Sequence, residues 1–226
     1  MLKEKPNLIS DIFFSITNRW YYYCLFFLCS CQSFNTTYSP VTDVKYLQSI
    51  RKIDSLTLLI QDGDIITRTG NDFTSETLRK FNHRDKTFSH CGIASIENDT
   101  IFIYHAIGGD FNPDQCLKRE TLQTFLDPNS NTTAGIFRFS MDSTAEASLK
   151  LYMQQCFRNK LKYDMDFRLD TDDKMYCTEF VAKSLVAAKI NNITFTHSFI
   201  SNFEYISTDD IMLHPHCKKI SVAVFR

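Results

Sequence analysis

The stretch SHCGIASIENDTIFIYHAI, residues 89–107, carries the clearest structural signal in the chain. It contains two runs rich in β-branched and aromatic residues, Ser89–Ile96 and Ile101–Ile107, and such runs are typical of strands. The pair Asn98-Asp99 lies between them, and these two residue types favour the tight turn of a β-hairpin. The stretch therefore predicts two antiparallel strands that pair with each other.

The position of the turn also predicts which side chains share a face of the hairpin. With this turn, Gly92 lies opposite His105, and His90 lies on the same face as both. The two imidazoles are then diagonal neighbours, about 7–8 Å apart at Cα, and Gly92 leaves room beside His105. Cys91 alternates to the opposite face and is expected to be a core residue. A register shifted by one residue would separate the two histidines.

A second signal is the stretch DDKMYCTEFVAKSL, residues 172–185, in which Cys177 follows an acidic run. The apolar pattern around Cys177 predicts a helix over residues 171–189. On a helical period, Cys177 shares one buried face with Val181, Ser184 and Ala188. The thiol is therefore expected to point inward near the positive end of the helix dipole, which favours a thiolate. The candidate N-caps are Thr171, Asp172 and Asp173.

Three interpretations of Cys177 follow from these residues. A cysteine on the buried face of a helix is often only a small apolar side chain. Cys177, His90 and His105 could instead bind zinc, although their spacing lacks the short ligand pairs of zinc sites. In the third interpretation Cys177 is a nucleophile. One histidine then takes the thiol proton, the other orients that histidine, and amides at the helix start bind an oxyanion.

The remaining sequence predicts an α+β domain. Helical periodicity occurs in several further segments, which are 44–53, 71–82, 117–127 and 143–161. Strand patterns occur at 64–68, 134–140 and 218–226. Together with the hairpin they predict a small antiparallel sheet or partial barrel packed against helices. The formal net charge of −1 gives no electrostatic reason to expect a nucleic-acid partner.

Five short motifs resemble those of a known family and occur in that family's order. They are Gly63-Asp64-Ile65-Ile66, Ser89-His90-Cys91-Gly92-Ile93, Tyr104-His105-Ala106, Tyr163-Asp164 and Tyr176-Cys177-Thr178-Glu179-Phe180. The set resembles the permuted NlpC-type papain-like cysteine hydrolases, and more narrowly their YaeF/YiiX branch, which is related to lecithin retinol acyltransferase. The resemblance implies a permuted papain-like fold, in which the histidine strand precedes the cysteine helix.

The resemblance also implies roles for individual residues. Cys177 would be the nucleophile, His90 the general base, and His105 the third residue, which orients the imidazole. Tyr163 and Asp164 would line the substrate pocket. The implied reaction is hydrolysis of an amide through an acyl-enzyme, with a peptide or acyl-amide as substrate, such as a cell-wall peptide, and without a metal or other cofactor. The alternatives are a lipid acyltransferase or amidase of the same fold, and a binding protein without catalysis.

The N-terminal segment predicts export and a lipid anchor. The apolar run WYYYCLFFL, residues 20–28, is shorter than the ~20 residues that span a bilayer and fits the core of a signal peptide. The following residues resemble a bacterial lipobox, which implies a lipid on Cys31. The expected organisation is a signal peptide at 1–30, a polar tether at 31–43 and one domain at 44–226. The protein would then be a membrane-anchored lipoprotein of the bacterial cell envelope, in the periplasm or at the outer membrane. The alternative is a buried N-terminal helix that is never cleaved.

Overall fold

A computed structural model describes residues 40–109, 112–190 and 193–225. The helices in these ranges are α1 (Pro40–Thr57), α2 (Phe73–Arg79), α3 (Leu122–Phe125), α4 (Ser143–Arg158), α5 (Cys177–Ala187) and α6 (Thr208–Met212). The strands are β1 (Ile65–Gly70), β2 (His90–Glu97), β3 (Thr100–His105), β4 (Lys118–Thr121), β5 (Asn131–Phe139), β6 (Lys162–Tyr163), β7 (Lys174–Met175), β8 (Ser198–Ile200), β9 (Phe203–Tyr205) and β10 (Cys217–Val224). Within these ranges, no helix has both the length and the apolar character needed to cross a bilayer. The predicted signal peptide and Cys31 lie outside the described residues.

Six strands form one antiparallel sheet, in the spatial order β10-β5-β1-β2-β3-β4. The β2–β3 hairpin has the predicted register, in which Ile93 faces Tyr104. Asn98 and Asp99 form its turn with φ angles of 48° and 60°, and a type I′ turn requires positive values at both central residues. The predicted α+β class, the antiparallel sheet and the hairpin register are therefore confirmed.

The two faces of this sheet pack against different helices. Side chains alternate between the faces along each strand, so Cys91 points to one face and His90 to the other. The first face packs against α5, in an apolar cluster that contains Cys91 and Phe180. The second face packs against α1 and α3, in a cluster that contains Ile103 and Phe125. We call them the cysteine face and the histidine face.

The Gly63-Asp64 motif holds the start of β1. Asp64 is buried, and its carboxylate accepts hydrogen bonds from Nε of Arg138 at 2.6 Å and from Nη2 of the same residue at 2.7 Å. Gly63 has a φ of +78°, a left-handed conformation that favours glycine. The two-pronged ion pair ties the start of β1 to β5. This motif is therefore a structural feature of the sheet.

The helix predicted over residues 117–127 is wrong for its first half. Lys118–Thr121 forms β4, an edge strand that pairs with β3, and only Leu122–Phe125 is helical. Lys, Arg and Glu favour helices, but the backbone groups at the edge of β3 need partners, and this tertiary pairing overrides the local preference. The strand places Glu120 directly opposite Ile103. Because facing residues share a face, Glu120 lies on the histidine face.

Helix α5 begins later than the sequence predicted. Its first residue is Cys177 and its N-cap is Tyr176, whereas the acidic run favoured a cap at 171–173. The Glu179 carboxylate accepts the backbone N–H of Tyr176 at 3.3 Å, which satisfies a donor at the helix start. The segment before the helix is not helical because Lys174–Met175 pairs with β6 as a short parallel strand. Cys177 therefore occupies the first turn, nearer to the positive end of the helix than expected.

Candidate active site

His90 and His105 form a hydrogen-bonded pair on the histidine face. Nε2 of His90 lies 2.9 Å from Nδ1 of His105, and the two rings meet edge to face. Both side chains are buried, with 8% of His90 and 1% of His105 exposed. A Cβ atom at Gly92 would lie only 2.8 Å from the Cβ of His105, so glycine is needed to leave space for this ring. The predicted proximity of the two imidazoles is confirmed.

Glu120, a carboxylate that sequence reasoning missed, extends the pair into a relay. Its Oε2 lies 3.2 Å from Nε2 of His105, and its Oε1 accepts a hydrogen bond from Nζ of Lys118 at 3.1 Å. The signal that could have found it is the pattern of residues 118–121, once those residues are assigned to a strand beside β3. Glu120 and His105 are then diagonal neighbours on one face.

The relay determines which ring nitrogens carry protons. An ionised carboxylate only accepts hydrogen bonds, so Nε2 of His105 carries the hydrogen that Glu120 accepts. Nδ1 of a neutral His105 then has a free lone pair and accepts the N–H of His90 Nε2. His90 is left with an unprotonated Nδ1. This nitrogen is the one that can act as a base.

Burial keeps both imidazoles neutral. It lowers the pKa of His90 well below the ordinary 6.5, and the positive charge of Arg68 lowers it further. Burial also lowers the pKa of His105, although the hydrogen bond to Glu120 opposes this shift. The same hydrogen bond is the main reason that the pKa of Glu120 falls to about 2. At neutral pH the relay therefore consists of two neutral rings and one carboxylate.

Cys177 lies on the cysteine face and points inward, as predicted, with 8% of the residue exposed. A hydrogen bond from the thiol of Cys91 is the main cause that lowers the pKa of Cys177 below the ordinary 9.0, and burial opposes it. Backbone N–H groups of Cys91, Thr178 and Cys177 itself also stabilise the thiolate. The interaction raises the pKa of Cys91 well above 9.0. Of the two thiols, Cys177 is therefore the one that ionises at lower pH, and Cys91 is its hydrogen-bond donor.

Arg68 is a further charged residue at this site that the sequence did not single out. It faces His90 across the β1–β2 pairing. Its Cζ lies 4.7 Å from the centre of the Phe125 ring, against which the rings of His90 and His105 also pack, at centroid distances of 5.8 and 4.9 Å. Arg68 and the Cys177 thiolate attract each other electrostatically. The Cys177 thiol bonds Cys91, which follows His90 in β2, so the thiol and the relay flank the same end of this strand from its two faces.

The two predicted pocket residues differ in their surroundings. Burial raises the pKa of Tyr163, and the negative charge of Cys177 adds to this shift, so the phenol lies within electrostatic reach of the thiol. Asp164 is fully buried, and its carboxylate accepts the backbone N–H groups of Asp166 at 3.0 Å and Arg168 at 2.6 Å. Asp164 therefore holds the loop that follows it. Substrate binding by either residue stays a prediction.

The zinc interpretation is not supported by the arrangement of these side chains. Among residues 40–109, 112–190 and 193–225, no group of three or more His, Cys, Asp and Glu side chains is placed to hold a metal ion. His90 and His105 direct their facing nitrogens at each other, so these two nitrogens are not free to bind a metal ion.

A thiol at the start of a helix, close to a strand that carries a histidine relay, defines a papain-like cysteine hydrolase. Here the histidine strand precedes the cysteine helix, which is the permuted order. Residues 59–220 match the model of a family described as permuted papain-like amidase enzyme, YaeF/YiiX, C92 family. The chain belongs to this family and is a cysteine-type amidase or hydrolase. The resemblance inferred from the five motifs is thereby confirmed.

The fold is also similar to that of a solved structure. The crystal structure of YiiX from Escherichia coli O157:H7, described as a metalloprotein, aligns with a TM-score of 0.60 and 16% sequence identity. The alignment covers 73% of this chain and 98% of the YiiX chain. At this identity the similarity concerns the fold alone. No curated protein matches the sequence at a significant level.

Proposed function

We propose that Cys177 is the nucleophile of an amide hydrolysis and that His90 is its general base. The observation that carries this proposal is the presence, at one end of β2, of a thiol of lowered pKa at the first residue of α5 and of a neutral histidine whose Nδ1 is left unprotonated by the relay. Such a nitrogen can take the thiol proton. Amides at the helix start can bind the oxyanion that forms next.

The reaction follows from these roles. The proton of Cys177 passes to Nδ1 of His90 as the sulfur bonds to the amide carbonyl carbon. The carbon–nitrogen bond then breaks, and His90 returns the proton to the departing amine, which leaves a thioester on Cys177. Water, deprotonated by His90, hydrolyses the thioester to a carboxylate and frees the thiol. His105 and Glu120 orient His90 throughout and stabilise its positive charge.

The finer part of the proposal concerns substrate and location. We infer a cell-envelope lipoprotein, anchored through Cys31, which acts on an amide of a cell-wall peptide. The support is the resemblance to NlpC-type hydrolases and the signal-like segment that ends before Cys31. The partners would be the peptide substrate and the membrane that holds the lipid. A lipid acyltransferase is the alternative outcome of the test below.

The reaction can be tested with a soluble peptide digest of bacterial cell wall. We expect the full chain to release new amino groups, detected by mass spectrometry, and to form an adduct on Cys177 that hydroxylamine removes. Cys177→Ala should do neither, while Cys116→Ala serves as the matched thiol control. Cleavage by Cys177→Ala at the normal rate would contradict the mechanism. Adducts formed only with phospholipid vesicles would assign the acyltransferase activity instead.

The lipid anchor is tested separately. When the full chain is expressed in a bacterium fed a labelled fatty acid, we expect label on the protein and its recovery in the membrane fraction. Cys31→Ala should abolish the label. Label that survives this substitution would contradict the lipoprotein proposal and leave the proposed reaction untouched.

A further inference from the structure

Arg68 carries a positive charge beside the reactive groups and has few hydrogen-bond or ion-pair partners of its own. Its Nη1 donates a hydrogen bond to Oδ1 of Asn131 at 3.1 Å. Its Nε is buried and, among the described residues, has no hydrogen-bond partner. No carboxylate in the part of the chain that the structure describes lies within ion-pair distance of this guanidinium. A partly buried cation without a close counter-ion is costly, so its presence at a site calls for a functional explanation.

The nearest acidic groups are committed to other partners. Glu120 and Asp72 attract Arg68 electrostatically. However, Glu120 accepts hydrogen bonds from His105 and Lys118. Asp72 caps α2, where its two oxygens accept the backbone N–H and the hydroxyl of Ser75 at 2.9 and 2.7 Å. Burial lowers the pKa of Arg68 below its ordinary 12.5, and the attraction to Glu120 and Asp72 opposes this shift, but the described residues supply no carboxylate to pair with Arg68.

The guanidinium is held in place by neutral groups. The amide nitrogen of Asn131 donates to the carbonyls of Phe125 at 3.3 Å and Asp127 at 2.9 Å, which turns its oxygen toward Arg68. The Phe125 ring supports the guanidinium as a cation–π partner. An arginine fixed in this way loses little conformational freedom when it binds a carboxylate with two parallel hydrogen bonds.

We propose that Arg68 binds an anionic group of the substrate, a carboxylate close to the amide that Cys177 attacks. The inference rests on the proposed role of Cys177 and narrows the substrate to an amide that carries a free carboxylate near the bond cleaved. The charge already faces His90 and lies within electrostatic reach of the Cys177 thiolate. A substrate carboxylate supplies the counter-ion that Arg68 lacks among the described residues.

The test compares two alkylating reagents of nearly equal size, iodoacetate and iodoacetamide. In each, the Cys177 sulfur bonds to the methylene carbon as iodide leaves, but only iodoacetate has a carboxylate beside that carbon. We expect the ratio of the iodoacetate rate to the iodoacetamide rate at Cys177 to exceed that of 2-mercaptoethanol by about tenfold, the effect of one charge-assisted hydrogen bond. Arg68→Gln should abolish this excess, and Arg68→Lys should retain part of it.

The ratio separates substrate binding from a merely structural role, because a change in the thiolate fraction alters both rates equally. Arg119→Gln is the matched control: Arg119 also lies over an aromatic ring, 3.3 Å from the centre of Phe102, but it is already paired with Glu97. This variant should keep the wild-type ratio. A wild-type ratio no higher than that of mercaptoethanol, or an unchanged ratio in folded Arg68→Gln, would overturn the inference while Cys177 still reacts. Slow reaction of Cys177 with both reagents would overturn the proposed function, and this inference with it.

Discussion

The two faces of the sheet prepare the two reactive groups in different ways. On the cysteine face, Cys177 is enclosed by apolar side chains, and a neighbouring thiol and backbone N–H groups lower its pKa. On the histidine face, two buried rings and a carboxylate form a polar relay beside Phe125. Adjacent residues of β2 serve the two faces, because His90 and Cys91 point in opposite directions.

This difference indicates that the lowered pKa of Cys177 does not come from the imidazole of His90. The causes that lower the pKa of Cys177 come from Cys91 and the start of α5. The relay instead supplies a neutral base that moves protons during the reaction. Substitutions on one face should therefore change the pH at which Cys177 ionises, and substitutions on the other should change the rate at which bonds break.

The largest effect on turnover is expected from Cys177 and His90, the proposed nucleophile and general base. Cys177→Ala and His90→Ala should each lower amide turnover by at least about 10³-fold, since one removes the nucleophile and the other the group that protonates the departing amine. The measurement is the rate of peptide release from the cell-wall digest. His90→Ala should still react with iodoacetamide at Cys177, because the thiolate is stabilised on its own face. Loss of that alkylation would contradict the claim that the groups that lower the pKa of Cys177 lie on the cysteine face alone.

A smaller effect is expected from the end of the relay. Glu120→Gln should lower turnover by roughly 10²-fold, because a neutral amide can donate to His105 and reverse the order of protons along the relay. Glu97→Gln is the matched control, since Glu97 belongs to the same sheet but bonds Tyr104 and Arg119. His105→Ala should weaken turnover without abolishing it. Equal rates for Glu120→Gln and Glu97→Gln would show that the relay ends at His105.

Removal of the second thiol should shift ionisation without a large loss of chemistry. Cys91→Ala deletes the hydrogen bond that lowers the pKa of Cys177, so the midpoint of the pH profile of alkylation should move to higher pH. At pH 7 the rate should fall about fivefold, as expected for one hydrogen bond. The rate of alkylation by iodoacetamide between pH 5 and 10 measures both quantities. A profile identical to that of the wild type would show that Cys91 does not lower the pKa of Cys177.

The smallest effect is expected on stability. The folded pKa values of His90 and His105 lie below 6.5, so the unfolded chain binds more protons in acid, and stability falls as the pH drops below about 6.5. Glu120 acts in the same direction only at lower pH, as its pKa of about 2 is approached. We expect the melting temperature to fall by on the order of 5 °C between pH 7 and pH 5. His105→Gln should weaken this dependence, and an unchanged slope in that variant would contradict it.

Much of this site could be predicted from local sequence. The turn residues Asn98 and Asp99 set the hairpin register, and the register alone brings His90 and His105 to one face. The apolar period around Cys177 gave its inward orientation. These features depend on the geometry of residues that are close together in the sequence, so local residue patterns are enough to predict them.

The predictions that were wrong or missing depend on pairing between residues that are far apart in the sequence. Glu120 joined the relay because residues 118–121 add to the free edge of β3, and their own helix preference gave no sign of it. Helix α5 starts at Cys177 because Lys174–Met175 pairs with β6. The acidic residues before this strand favoured an earlier helix start, so the sequence did not predict the pairing. Arg68 looked like an ordinary strand residue until the position of Phe125 was known.

The central claim, that Cys177 is the activated thiol, is tested most directly by the order in which cysteines of the full chain react. Iodoacetamide is added in limiting amount at pH 7, and labelled peptides are quantified for Cys91, Cys116, Cys156, Cys177 and Cys217. Exposure alone favours Cys116, Cys156 and Cys217, which are less buried than Cys177. The lowered pKa of Cys177 instead predicts that it is labelled first, despite its burial. Labelling of Cys177 no faster than that of Cys116 would contradict the account.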